Sequence, residues 1–168
     1  EYINNEWVFD PDDLNNIDDD DWDNNANTYI DDLIGWDPAG MNGMDDNDPM
    51  PPSNWAWHHG THVAGLAAAE TNNGTGIASI GYDVSIIGVR ISNDNAYLTH
   101  AYEGVSWASA NGANVINMSW GGGSFSQTAQ TIMDNAHANG ILLVAAAGNN
   151  NSSSAHYPAA LNHVISVA

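Results

Sequence analysis

Three histidines within five residues form the densest group of chemically active side chains in the sequence, the stretch HHGTH that begins at His58. On a helix, His58 and His62 are four residues apart and His59 and His62 three apart, so a metal ion could be held on one helix face. Alternatively, one imidazole transfers protons, since histidine titrates near neutral pH. A zinc-hydrolase helix carries a glutamate between its histidines, whereas Gly60 and Thr61 lie here, which disfavours zinc. The spacing alone leaves metal binding, proton transfer and an incidental polar helix start open.

The part of the sequence that must position these histidines alternates between strand-like and helix-like stretches. Strands that are apolar on both faces alternate with helices of about 12 to 15 residues, a pattern typical of a parallel sheet. The sequence therefore predicts an α/β fold, with a parallel sheet flanked by helices on both faces and right-handed crossovers. Ligands bind beyond the carboxyl ends of such strands. The predicted helices are 60–70, 98–112 and 126–140, and the predicted strands are 83–91, 113–120, 141–148 and 163–168.

Composition limits the classes of partner. The chain has 168 residues, enough for one domain, and 21 acidic residues against one Lys or Arg, a formal net charge of −20. Nucleic acid and anionic membrane surfaces require basic patches, so neither is an expected partner. No apolar run approaches the roughly 20 residues that cross a bilayer. The chain has no cysteine and hence no disulfide. The acidity indicates a strongly hydrated surface, as expected of a secreted, marine or salt-adapted protein, and we expect a monomer.

Residues 1–54 differ in composition from residues 55–168, and we interpret them as an acidic Asn/Asp-rich insert region before an α/β core, within one partial domain. The insert contains carboxylates and an amide at alternate positions, which suits oxygen ligands around calcium. The turn glycine and closing glutamate of an EF-hand loop are missing, and a solvated acidic loop remains the alternative. The candidate calcium ligands are Asp19, Asp21, Asp23 and Asn25.

Four stretches occur in an order that resembles the subtilisin-like serine peptidases, or subtilases: HGTHVAGLAAA, NNGTGIASI, INMSWGGG and LLVAAAGN. The resemblance extends over roughly residues 56–168. It implies a serine endopeptidase that acts on proteins or peptides, with His59 as general base and then general acid. It also implies that Asn149 donates a hydrogen bond in the oxyanion hole, and that Asn72 and backbone carbonyls are calcium ligands in the loop after the histidine helix.

The same resemblance implies two walls of a substrate cleft. One is the strand edge that pairs with an extended peptide backbone, and glycines there let the peptide lie close. The other wall follows the next strand. The implied substrate-binding residues are Ser119, Trp120, Gly121 and Gly122 on the first wall, and Ala147 and Gly148 on the second.

Two motifs of the family are missing from the 168 residues: the Gly-Thr-Ser-Met-Ala-like helix start that carries the nucleophile, and the Asp-Ser/Thr-Gly strand end that carries the triad aspartate. We therefore expect a fragment that is inactive alone. Two other hypotheses remain: a catalytically dead subtilase-like module that binds peptides, and a calcium-binding structural domain.

Overall fold

A computed structural model describes residues 2–3, 6–7, 35–40, 44–51, 58–92 and 97–168. Over these residues the chain forms seven strands and three helices. In chain order they are β1 (Tyr2–Ile3), β2 (Glu6–Trp7), β3 (Gly35–Trp36), α1 (His58–Ala68), β4 (Gly88–Val89), α2 (Ala101–Ala110), β5 (Val115–Met118), α3 (Gln127–Ala138), β6 (Leu142–Ala146) and β7 (Val164–Val167).

The chain divides into two compact units, which are described separately. The N-terminal unit comprises residues 1–51 and 87–100, and the sheet unit comprises residues 52–86 and 101–168. None of the helices in the described ranges is long and apolar enough to span a membrane.

The N-terminal unit contains two pairs of short strands. β1 and β2 are antiparallel, and β3 and β4 are parallel, with Gly35 opposite Gly88. Gly35 has a φ of 139°, and a Cβ there would lie 2.0 Å from the carbonyl oxygen of Gly88. This close approach requires glycine at position 35.

A buried ion pair lies beside the β3–β4 pair. Asp37 and Arg90 are joined through Oδ2 and Nη2, and both side chains are buried. The backbone N–H of Ala39 donates to Asp37 Oδ1 at 2.8 Å, and Arg90 Nη1 donates to the carbonyl oxygen of Met50 at 3.0 Å. Burial raises the pKa of Asp37, although the N–H groups of Gly40 and Ala39 and the charge of Arg90 oppose that rise.

The sheet unit contains a parallel three-stranded sheet in the order β5-β6-β7. α2 packs against α3 and β5, and α3 packs against β6. Alternate side chains of β5 and β6 are buried on one face: Ile116, Met118, Leu143 and Ala145. The opposite face exposes about half of each of four large apolar side chains: Val115, Leu142, Ile165 and Val167. The predicted parallel α/β fold is confirmed, and within the described residues these strands bury one face rather than two.

The residues predicted to flank α3 and to follow α2 agree with the structure, whereas the predicted bounds 60–70 and 98–112 differ from those observed for α1 (His58–Ala68) and α2 (Ala101–Ala110). Ser126 is the N-cap of α3, and its Oγ accepts a hydrogen bond from the N–H of Ala129 at 3.3 Å. Gly112 and Gly140 follow α2 and α3 with φ values of 82° and 84°. These left-handed conformations favour glycine, as expected just beyond a helix.

The predicted strand over 83–91 was too long. Only Gly88 and Val89 form a strand, and they pair with β3. The preceding segment exposes Val84 and Ile86, and it makes no ladder with any described strand. An apolar, β-branched run becomes a strand only where a neighbouring strand accepts its hydrogen bonds.

Candidate functional site

The carboxyl ends of β5 and β6 bring together the two walls predicted for the substrate cleft. Met118, the last residue of β5, lies opposite Ala145 in the register of the two parallel strands. The chain leaves β5 into residues 119–122 and leaves β6 into residues 147–149, so both segments start at the same edge of the sheet. That edge is where parallel α/β sheets bind ligands.

The first wall, residues 119–122, is held in place by two hydrogen bonds and one aromatic contact. Ser119 Oγ accepts a hydrogen bond from Asn117 Nδ2 at 2.9 Å. Trp120 packs edge-on against Tyr102 of α2, with ring centroids 5.5 Å apart. The N–H of Gly122 donates to the carbonyl oxygen of Tyr157 at 2.8 Å. Among the described strands, β5 is at the edge of its sheet.

The second wall continues directly from β6. The N–H of Ala147 donates to the carbonyl oxygen of Val167 at 2.7 Å, which extends the pairing with β7 by one residue. Gly148 then turns the chain with a φ of 93°. Asn149 follows this turn and is exposed, so its side-chain amide is accessible from solvent.

A residue that the sequence analysis did not consider, His156, lies between the two walls. A Cβ added to Gly121 would lie 2.2 Å from His156 Nε2, and one added to Gly148 would lie 3.2–3.3 Å from three atoms of the imidazole ring. The ring face therefore lies against Gly148, and its Nε2 edge against Gly121. Close approach to this ring is a physical reason for glycine at both positions. No sequence spacing identifies His156 as a residue of the cleft, because it is a single histidine after a polar loop. The signal that the sequence did contain was the pair of glycines, Gly121 and Gly148, that follow two adjacent strands.

The predicted general base, His59, lies in the first turn of α1. Its side chain is exposed, as are those of His58 and His62. Within the described ranges, no three or more His, Cys, Asp or Glu side chains are grouped so that they could hold a metal ion. The catalytic roles of His59 and Asn149 stay predictions.

The calcium hypothesis divides between two parts of the chain. Asp19, Asp21, Asp23 and Asn25 lie outside the described residues. In the other candidate loop, Asn72 is exposed with a φ of 60°. Its neighbour Asn73 donates to Glu70 Oε2 at 3.3 Å and accepts from the N–H of Thr75 at 3.0 Å. Calcium takes six to eight oxygen ligands, which include backbone and Asn carbonyls as well as carboxylates. Both calcium hypotheses stay predictions.

The fold and the adjacent strand exits place the chain among α/β proteins with parallel strands, a class whose ligands bind at the carboxyl ends of those strands. Comparison with known protein families gives a more specific result. The chain belongs to the subtilase family, whose model matches residues 16–168.

Individual relatives agree with this assignment. The chain is 43% identical over 115 residues to Subtilisin DY of Bacillus licheniformis, an alignment that covers 65% of this chain and 42% of that protein. It is 44% identical over 126 residues to the "Halolysin-like extracellular serine protease Nep" of Natrialba magadii, covering 74% and 23%.

A solved structure of proteases from Pseudoalteromonas arctica PAMC 21717 is also similar. It superposes with a TM-score of 0.67 at 35% identity and covers 79% of this chain and 48% of that chain. In each of these three comparisons, the present chain spans less than half the length of the protein that it matches.

Proposed function

We propose that the complete protein containing these residues is an extracellular serine endopeptidase that hydrolyses peptide bonds in proteins or peptides. The observation that carries the proposal is the adjacency of residues 119–122 and 147–149 at one sheet edge, in a chain of the subtilase family. Relatives whose names describe them as extracellular proteases support the location and the substrate class. The net charge of −20 further disfavours nucleic acid as a partner.

In this proposal, the substrate backbone lies along the first wall as an added strand. The backbone groups of residues 119–122 bind it, and the side chain on the acyl side of the scissile bond enters the cleft between the two walls. Since Gly122 has no side chain and nothing lies within 4 Å of the place where its Cβ would be, the peptide approaches the first wall closely. The peptide is thereby held in one register, which lowers the entropic cost of the reaction.

His59 acts as the proton-transfer residue. A serine hydroxyl, from a motif that is not among these 168 residues, attacks the scissile carbonyl carbon while His59 accepts its proton. The tetrahedral intermediate carries an oxyanion, to which the Asn149 side-chain amide donates a hydrogen bond. The C–N bond then breaks, His59 gives its proton to the leaving amine, and an acyl-enzyme forms. Water, deprotonated by His59, hydrolyses that ester and restores the serine.

The experiment that tests this proposal compares His59→Ala with His58→Ala in the complete protein. The two histidines are adjacent and both are exposed, so the second variant controls for loss of an imidazole at the start of α1. We expect His59→Ala to lower kcat/KM for an internally quenched peptide by at least about 10⁴-fold. We expect His58→Ala to keep kcat/KM within about threefold of the wild type.

A second readout separates catalysis from peptide binding. A fluorophosphonate probe should label the complete wild-type protein and not the His59→Ala variant, because the serine is nucleophilic only beside a base. A wild-type protein that binds peptides but is neither labelled nor active would instead be a peptide-binding module. Equal activity in both histidine variants would refute the role of His59.

A further inference from the structure

We propose that Asn73 is a modification site at which the side-chain amide is converted spontaneously to a carboxylate, through a cyclic imide that forms with the backbone nitrogen of Gly74. The inference does not rest on the proposed function, because the reaction needs only water and this chain. An asparagine before a glycine suits this reaction best, since glycine has no Cβ to hinder attack by its nitrogen. Such pairs occur at four places in the chain, and the structure describes the three that begin at Asn73, Asn111 and Asn139.

The reaction closes a five-membered ring between the Asn73 side chain and the peptide group that follows it. The backbone nitrogen of Gly74 loses its proton to water and attacks Cγ of Asn73. The bond between Cγ and Nδ2 then breaks, and the amide nitrogen takes up a proton from water and leaves as ammonia. Water opens the cyclic imide at either of its two carbonyl carbons, which gives aspartate or isoaspartate at position 73.

The contacts of Asn73 prepare its amide carbon for this attack. The N–H of Thr75 donates to Asn73 Oδ1 at 3.0 Å, so the side chain folds back along its own backbone. The ring of atoms that this hydrogen bond closes includes both Cγ of Asn73 and the nitrogen of Gly74. The same N–H stabilises the negative charge that develops on Oδ1 during the attack.

The attacking nitrogen of Gly74 is accessible to water. Asn73 and Gly74 are both exposed, and a Cβ placed on Gly74 would meet nothing within 4 Å. Among the described residues, no acceptor is hydrogen-bonded to the N–H of Gly74. Water can therefore remove this proton without breaking a hydrogen bond of the protein.

The Asn-Gly pair at the end of α3 is protected by its hydrogen bonds. The N–H of Gly140 donates to the carbonyl oxygen of His137 at 2.9 Å, and the N–H of Asn139 donates to that of Asn135 at 3.1 Å. Attack by the Gly140 nitrogen therefore requires that this end of α3 open first, and such local opening costs free energy.

The pair that begins at Asn111, just after α2, is held in a different way. Asn111 is half-buried, and its Nδ2 and its backbone N–H both donate to the carbonyl oxygen of Trp107, each at 3.0 Å. The amide must leave the helix end before its carbon can be attacked. The fourth pair, which begins at Asn42, lies outside the described residues.

The modification changes the charge of the loop. Asn73 Nδ2 donates to Glu70 Oε2 at 3.3 Å, and the aspartate product has no N–H with which to do so. It instead places a second carboxylate beside Glu70, and the two repel each other. Arg90, the single Lys or Arg of the chain, is buried in its pair with Asp37 and does not compensate this repulsion.

The test incubates the folded complete protein at mildly alkaline pH, in calcium-free buffer with a serine-peptidase inhibitor. Pepsin digestion at acidic pH then releases the Asn-Gly peptides, whose mass increases when a carboxylate replaces an amide. We expect Asn73 to react at least about tenfold faster than Asn111 and Asn139, because only the latter two require local opening. In concentrated urea the three rates should become similar, since the hydrogen bonds that distinguish the pairs are lost.

Two variants identify the reacting residue. Asn73→Gln should abolish the mass increase of its peptide, because attack on the longer side chain would close a six-membered ring more slowly. Asn72→Gly, at a neighbouring residue whose φ of 60° suits glycine, should leave the reaction at Asn73 in place. The inference is overturned if folded protein, verified by circular dichroism, modifies Asn111 or Asn139 as fast as Asn73. It is equally overturned if Asn73 reacts only in urea.

Discussion

Asp37 and Arg90 form an ion pair in the interior of the N-terminal unit, with 0% and 7% of their side-chain surfaces exposed. Arg90 is also the single Lys or Arg of the chain, against 21 acidic residues. The one Lys or Arg of this chain therefore lies inside the fold and not on its surface. The other acidic residues have no Lys or Arg with which to pair.

Loss of the arginine charge should destabilise the N-terminal unit. Arg90→Met leaves the Asp37 carboxylate buried without its partner, and removing one member of such a pair costs about 3–5 kcal/mol. The free energy of unfolding, from urea denaturation, measures the loss. Asp45→Asn is the matched control, because it removes an exposed carboxylate and should change the free energy by less than about 0.5 kcal/mol. Equal changes in the free energy of unfolding for the two substitutions would show that the Asp37–Arg90 ion pair does not stabilise the fold.

The raised pKa of Asp37 predicts the sign of a pH dependence. Burial raises this pKa above its ordinary value of 3.8, so the folded state binds its proton more tightly than the unfolded state. The resulting stability is fully present below pH 3.8 and is lost as pH rises through the higher pKa of the folded protein. The unfolding free energy of the wild type minus that of Asp37→Asn should therefore decrease as pH rises from 3.8 towards neutrality. An increase in this free-energy difference over the same pH range would contradict the raised pKa of Asp37.

The sheet unit was largely predictable because its signals are local. An apolar run of strand length, a helix with Ser126 at its start and Gly140 beyond its end, and another apolar run together predict β5-α3-β6. The segment over 83–91 was not predictable in this way. Its two paired residues depend on Gly35, which is more than 50 residues earlier in the sequence. The local sequence of a segment does not show which strand, so far away in the chain, will pair with it.

The Ser126 cap gives a test of that local encoding. Ser126→Ala removes the acceptor for the Ala129 N–H and should lower the free energy of unfolding by about 1 kcal/mol. Ser124→Ala alters an exposed serine two residues earlier, outside the cap position, and should have little effect. Thermal or urea unfolding of both variants measures the difference. A loss of the same size in both would mean that the cap is not the cause.

Asn149 and Asn150 are adjacent, exposed and chemically identical, so they form a matched pair for testing the oxyanion assignment. In the complete protein, Asn149→Ala should lower kcat by about 10²–10³-fold, a magnitude taken from an oxyanion-hole asparagine in subtilisin itself. KM should change little, because the hydrogen bond forms mainly in the transition state. Asn150→Ala should leave kcat nearly unchanged. Steady-state kinetics measure both, and a larger effect at Asn150 would transfer the role to that residue.

The site was predictable only in part, for a physical reason. The two walls follow strands whose apolar patterns are visible in the sequence, so their adjacency could be expected from parallel pairing. His156 belongs to neither strand. Its place between Gly121 and Gly148 depends on how the chain returns from the polar loop after Asn149, and this path is set by packing of Tyr157 and Pro158.

The insert hypothesis predicts that calcium stabilises the chain. Replacing Asp19, Asp21 and Asp23 together by asparagine should remove any increase in melting temperature that calcium gives to the wild type, since calcium prefers charged oxygen ligands. Differential scanning calorimetry with calcium and with a chelator measures the increase. Under the insert hypothesis Asn72→Ala should preserve it, because Asn72 lies in the other candidate loop. If the triple variant responds to calcium as the wild type does, the insert is a solvated acidic loop.

The exposed face of the β5-β6-β7 sheet has a consequence for the thermodynamics of unfolding. Val115, Leu142, Ile165 and Val167 keep about half of their surfaces in water before unfolding begins. The heat capacity of unfolding grows with the apolar area that is newly hydrated. These 168 residues should therefore unfold with a smaller heat-capacity increment per residue than a domain whose sheet is covered on both faces, and their stability should vary less steeply with temperature.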